Sequence, residues 1–121
     1  MHEMAVVHSI VDVVVQQAEE IGASEVRSVH LTIGQGRDIV EKYMGPLFAY
    51  LARGTIAENA VLHIDRPPIS IRCDECDLVF PPEIASGKAP SCPRCSSGNY
   101  KLFSGLELTI DGIEVDGNPA K

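Results

Sequence analysis

The residues that carry the most chemistry in this 121-residue chain are four cysteines. They stand as Cys73-Asp74-Glu75-Cys76 and Cys92-Pro93-Arg94-Cys95, two Cys-x-x-Cys pairs separated by 15 residues. That is the spacing of a structural zinc site. Each short loop turns back on itself, so both of its sulfurs face one point, and two such knuckles complete a tetrahedron of thiolates. Four protein ligands leave no open position for water, which makes the expected role structural rather than catalytic. Iron is the other metal that this ligand set suits. A thioredoxin-like redox pair is disfavoured, because neither pair sits in the strand-to-helix context such a pair needs. Without metal, residues 70–103 hold too few apolar groups to fold alone.

A second group of donors stands at the front, in Met1-His2-Glu3. A free N-terminus is an amine that deprotonates near neutral pH. The His2 amide links that amine to the imidazole through two small chelate rings. Once a metal displaces the amide protons, these nitrogens form a planar set, the geometry that suits Ni(II) or Cu(II). His2 is bulky enough to hinder removal of Met1. Alone, a histidine at position 2 signifies little more than a solvated side chain. It gains weight only beside the rest of the chain.

Certain elements must position these donors. Met4, Val7, His8, Val11, Val14, Val15, Ala18 and Ile21 recur at three- and four-residue steps, predicting a helix over 4–21 that stops at Gly22. Valine is a poor helix former, so burial must supply much of its stability. His8 reads as a core or boundary residue of that helix. Residues 26–33 alternate as a strand, with Val29, Leu31 and Ile33 on one face and Ser28, His30 and Thr32 on the other. Asp38 and Glu41 read as a capping box for a second helix, which Pro46 should kink or split. Strands follow at 61–66 and 106–115, the latter with a change of apolar phase at Asp111-Gly112 that implies a bulge or a tight turn. The strands at 61–66 and 106–115 flank the cysteine insert and lie near each other if the ends of the insert are close. The fold class is α+β: two helices on a small three-stranded sheet, with an inserted zinc-ribbon-like domain.

Composition narrows the function. Seventeen acidic residues against ten Lys and Arg give a formal net charge of −7. So negative a chain is a poor nucleic-acid binder, since phosphate contacts need clustered cations. Trp is absent and aromatics are 5%, which removes a base-stacking platform. No apolar run reaches the length of a membrane span, and Glu3, His8 and Asp12 spoil a secretory signal, so the chain is read as cytoplasmic. In that compartment thiols stay reduced, which favours metal ligation over disulfides. There is no phosphate-cradling Gly-Lys-Ser/Thr loop, no spare thiolate and no prominent carboxylate pair, so the chain is read as a non-enzyme.

The whole pattern carries a resemblance. Met1-His2-Glu3-Met4 is followed by a strand closing Ile33-Gly34 and a helix closing Gly54-Thr55. Then come the two knuckles, with Cys92-Pro93 in the second, and a final Ile113-Glu114-Val115. Over essentially its full length the chain resembles the hydrogenase-maturation nickel metallochaperones of the HypA/HybF family. The resemblance implies a nickel-binding α/β domain, residues 1–69 and 104–121, and a four-cysteine zinc domain, residues 70–103, inserted between the second and third strands. It implies nickel ligation by the Met1 amine, the His2 imidazole and amide, and the Glu3 amide or a supporting carboxylate. Cys73, Cys76, Cys92 and Cys95 match the zinc ligands. The implied partners are a HypB-like maturation GTPase and the immature large subunit of nickel-iron hydrogenase, with urease served in some organisms. The chain departs from the family pattern at Gln35-Gly36-Arg37-Asp38 and at Gly45-Pro46, neither of which touches the expected ligands. The alternative from another class is a zinc-ribbon protein-interaction adaptor with no transported metal.

Overall fold

A computed structural model describes residues 3–83 and 87–117. Two helices and six strands follow in the order α1 (Glu3–Glu20), β1 (Glu25–Ile33), α2 (Glu41–Leu51), β2 (Val61–Asp65), β3 (Ser70–Cys73), β4 (Val79–Phe80), β5 (Tyr100–Ser104) and β6 (Leu108–Asp116). The chain divides into two compact units. One comprises residues 1–32, 38–65 and 109–121, the other residues 33–37 and 66–108.

In the first unit, Val7, Val11, Val14 and Ala18 form the buried stripe of α1, so the valine-rich helix is stabilised by burial as its sequence requires. Gly22 ends it in the left-handed conformation at φ 74°. The Gly22 amide donates to Glu19 O and the Ala23 amide to Ala18 O, which is a Schellman closure. Val26, Val29 and Leu31 of β1 and Met44 and Phe48 of α2 complete the core. His8 is not in that core. It is exposed, with Nδ1 3.4 Å from Asp12 one turn on.

The strand order is β2-β1-β6. β2 runs parallel to β1, pairing Ser28 with Val61 and Thr32 with Asp65. β6 takes the other side, where Arg27 meets Asp116, Ser28 meets Glu114 and Thr32 meets Asp111, so partners descend as β1 ascends. The strands flanking the insert are therefore not neighbours, because β1 lies between them. α2 is the crossover that returns the chain parallel to β1, and the last strand takes the free edge of β1. β6 runs unbroken through Asp111-Gly112, so the change of phase there is an irregularity within one strand and not a hairpin turn.

α2 also begins differently from the capping-box expectation. Its N-cap is Val40, which has no side chain able to cap. The Val40 amide instead donates to Glu3 Oε2 at 2.7 Å, from the first turn of α1. A carboxylate 37 residues away in sequence thus fastens the start of α2. Pro46 lies inside α2 and does not split it.

The second unit centres on β3, flanked by β4 and β5 in antiparallel pairing. Residues 34–37 are stitched to 66–67 and 105–107. Gly34 N donates to Glu107 O, Gln35 N to Pro67 O and Gly36 N to Gly105 O, while Arg37 Nε donates to Leu106 O. The backbones approach so closely that a Cβ on Gly34 would lie 2.1 Å from Gly105 O. The departure Gln35-Gly36-Arg37 therefore has a structural use, since Gly36 also faces Gly105 O, at 2.8 Å from where its Cβ would be.

Candidate metal centre

The four cysteines converge. Among the described residues they are the group of His, Cys, Asp or Glu side chains placed to hold a metal ion, with all four sulfurs within 4.8 Å of one another. Cys73 Sγ lies 3.5 Å from Cys95 Sγ, and Cys76 Sγ lies 3.5 Å from Cys92 Sγ. These are not disulfides. Two thiolates on one zinc ion at about 2.3 Å stand roughly 3.8 Å apart, so the spacing suits a tetrahedral ion.

The two knuckles repeat one backbone device. In the first, Cys73 N donates to Leu78 O and Asp77 N to Cys73 O. In the second, Cys92 N donates to Ser97 O and Ser96 N to Cys92 O. The residue after each pair is left-handed, Asp77 at φ 64° and Ser96 at φ 65°. That conformation lets the chain reverse within the loop and aims amides inward: Glu75 N points at Cys73 Sγ at 3.3 Å, and Arg94 N at Cys92 Sγ at 3.4 Å. Amides directed at sulfur stabilise thiolate over thiol. Sequence spacing locates the sulfurs. It does not reveal the strained Asp77 and Ser96, although their shared place, directly after each pair, is the available signal.

Charge at the centre fits a cation. The Cys76 thiol is lowered to about 6, chiefly by the Leu78 backbone amide and further by Arg94 and its neighbouring thiols. At Cys95 the Ser97 amide pulls downward, but Cys73, burial and the other two thiols outweigh it and push the group up to about 12. Four thiols this close cannot all ionise unaided, and a divalent cation relieves that repulsion. Arg94 contributes to the same relief. Its Nη2 donates to Cys76 O at 2.7 Å, and the nearby Cys76 thiolate raises its already high pKa. Across the knuckle Lys101 Nζ pairs with Asp74 Oδ1 at 3.0 Å. Cys73 and Cys92 are buried, Cys76 half-buried and Cys95 exposed. The donor set and its geometry fit zinc, which Cys73, Cys76, Cys92 and Cys95 would hold as a closed structural ion.

The front of the chain is placed in part. Met1 and His2 lie outside the described residues. Glu3 is 3% exposed, and its carboxylate is turned inward onto the Val40 amide. Of the donors expected at Glu3, the carboxylate is thus already engaged in fastening α1 to α2. No sequence pattern announces that bond, because its partner is a backbone amide in a distant segment.

The comparisons with known proteins agree with this architecture. The family model for HypA, described as hydrogenase/urease nickel incorporation, metallochaperone, matches residues 1–115. The chain is 34% identical over 116 residues to hydrogenase maturation factor HypA of Dehalococcoides mccartyi strain CBDB1, covering 96% of this chain and 95% of that protein. It is 34% identical over 116 residues to hydrogenase maturation factor HybF of Salmonella typhimurium, covering 96% of this chain and all of that one. In fold it matches the solution structure of the nickel metallochaperone HypA from Helicobacter pylori with a TM-score of 0.64 at 24% identity, over 96% of this chain and 98% of that one. A second HypA solution structure gives 0.71 at 23% identity, over 95% and 96%. The chain belongs to the HypA family of nickel-incorporation metallochaperones that act in hydrogenase maturation.

Proposed function

We propose that this chain carries Ni(II) as labile cargo on Met1-His2-Glu3 and keeps a tightly held structural zinc in the four-cysteine centre. The Met1 amine, the His2 amide and imidazole, and the Glu3 amide are the donors. The Glu3 carboxylate is itself held by the Val40 amide. One observation carries the reading: the family match runs from residue 1, so the Met-His-Glu opening lies inside the matched region. Nitrogen donors favour Ni(II) over Mg(II) and Zn(II) but bind Cu(II) more tightly, so selection rests partly on the docking partner. The partners in this reading are a HypB-like GTPase and the hydrogenase large subunit, with urease a second client. Delivery takes place in the cytoplasm, and the chain itself catalyses no reaction.

Labile binding is what delivery requires, since the ion must be held selectively and still leave. A set of amine, amide and imidazole nitrogens meets that need better than a closed thiolate cage. The adaptor reading, a zinc ribbon with no cargo, has no use for a Met-His-Glu opening. Ni(II) titration of the zinc-loaded, untagged protein beside His2→Ala separates the two. The carrier loses its tight nickel event with His2, whereas an adaptor shows none to lose. Protons compete for the same nitrogens, so affinity should fall as the pH drops from mildly alkaline to mildly acidic.

A further inference from the structure

The core-facing side of the β2-β1-β6 sheet is covered by the helices, while its other side carries a constellation that the cargo reading leaves unused. His30 of β1 stands opposite His63 of β2 in parallel register, so both rings rise from the same face. Their centroids are 4.6 Å apart with planes at 14°, an aligned stack. On the other flank of β1, Glu114 of β6 reaches His30, with Oε1 3.6 Å from Nε2. The same Glu114 oxygen accepts the Ser28 hydroxyl, which holds the carboxylate beside the ring. Asp111 is fixed in the same manner by Thr32 Oγ1 at 2.5 Å.

His30, His63, Glu114 and Asp111 line an open groove of about 850 Å³ together with Asp65. Three carboxylates and two imidazoles face it, and among the described residues no Lys or Arg does. Such a lining repels phosphate or carboxylate ligands and attracts a cation. Paired imidazoles select among cations: they suit Ni, Cu and Zn, whereas carboxylate alone would suit Mg or Ca. We propose that His30, His63 and Glu114 form a second metal site, which takes a borderline divalent cation such as Ni(II) on the open sheet face. Two nitrogens on one ion at about 2.1 Å stand roughly 3.4 Å apart with their lone pairs aimed at one point, whereas the stacked rings aim theirs in parallel, so these donors are not gathered in advance as the four sulfurs are. His63 is exposed on an edge strand and gathers them by turning its ring toward His30. The site is therefore assembled by the ion, and it binds more weakly than the preformed thiolate centre.

The proposal does not depend on nickel binding at the N-terminus, and its test removes that region first. The zinc-loaded full chain carrying His2→Ala is titrated with Ni(II), by calorimetry and by NMR of the histidine rings. One binding event is expected, with the His30 and His63 ring signals perturbed and those of His8 unchanged. Adding His63→Gln should weaken the event at least tenfold. Glu114→Gln, which keeps an acceptor for Ser28, should also weaken it, while His8→Gln should not. If His2→Ala protein takes up no Ni(II), or takes it up equally well after His63→Gln, the site does not exist. In the chain with His2 intact, His63→Gln should leave the tighter N-terminal event in place, so failure of either site is separately visible.

Discussion

The two units back their candidate metal donors in opposite ways. In the unit formed by residues 33–37 and 66–108, each sulfur is backed by a repeated local device: a left-handed residue, two crossed backbone bonds and amides aimed at sulfur. In the other unit, the described part of the expected cargo segment is Glu3, whose carboxylate accepts the Val40 amide. Charge differs as sharply. The cysteine-bearing unit has five acidic residues against six Lys and Arg, the helix-bearing unit twelve against four. A resident ion calls for redundant local geometry in neutral surroundings. A cargo ion calls for few ligands, one firm root and a negative field that gathers cations.

The contrast breaks most visibly on metal removal. A structural zinc ion supplies roughly 10–16 kcal/mol of apparent binding energy, which is folding energy for the segment that holds it. Chelation, or Cys92→Ser, should therefore collapse the amide NMR dispersion of residues 66–108 and leave that of α1, β1 and α2 intact. Uniform loss across both units would show that the two are not independently stabilised.

Glu3 supplies the next largest effect. Glu3→Ala leaves the part-buried Val40 amide without its acceptor, at a cost of about 1 kcal/mol. Urea unfolding should register that loss, and Ni(II) affinity should fall with it because the root of the cargo segment is freed. Glu3→Gln keeps an acceptor oxygen and should recover part of both.

The knuckles yield a stabilising change. Asp77→Gly and Ser96→Gly each relieve a non-glycine residue held at positive φ, and each should raise the stability of the zinc-loaded protein by about 1 kcal/mol. Equal gains at both positions would support the equivalence of the two loops. A loss at either would mean that its side chain does more than tolerate the turn.

How much of the molecule is legible in its sequence follows from the range of the interactions. The four cysteines, the Gly22 stop and the inward phase of Val29 and Leu31 depend on near neighbours, so spacing and periodicity reveal them. The capping of α2 is not legible, because the local candidate Asp38 gives way to Glu3 from another helix. His8 misleads because it sits at the margin of the apolar stripe, where the helix turns to solvent. The stacking of His30 on His63 depends on the parallel register of two strands joined only through α2, which no local pattern encodes.

The smallest effect concerns the seam between β1 and β6. Asp111 is held below the usual carboxylate range by the Thr32 hydroxyl, then by Thr109. Glu114 is held down by the Ser28 hydroxyl, then by His30. Both contributions are fully present above the ordinary carboxylate range and are lost as the pH falls through the lowered values. Thr32→Val and Ser28→Ala should each flatten the acid limb of a plot of urea midpoint against pH, modestly, since both carboxylates are exposed. An acid limb unchanged in both variants would show that these bonds do not hold the seam.

Whether the cargo rides on the N-terminus is decided by Ni(II) calorimetry of the untagged, zinc-loaded protein beside His2→Ala. A tight event of about one nickel per chain is expected in the wild type. It should disappear in the variant, with at most the weaker sheet-face event remaining. Equal tight binding by both proteins would place the cargo elsewhere and contradict N-terminal carriage.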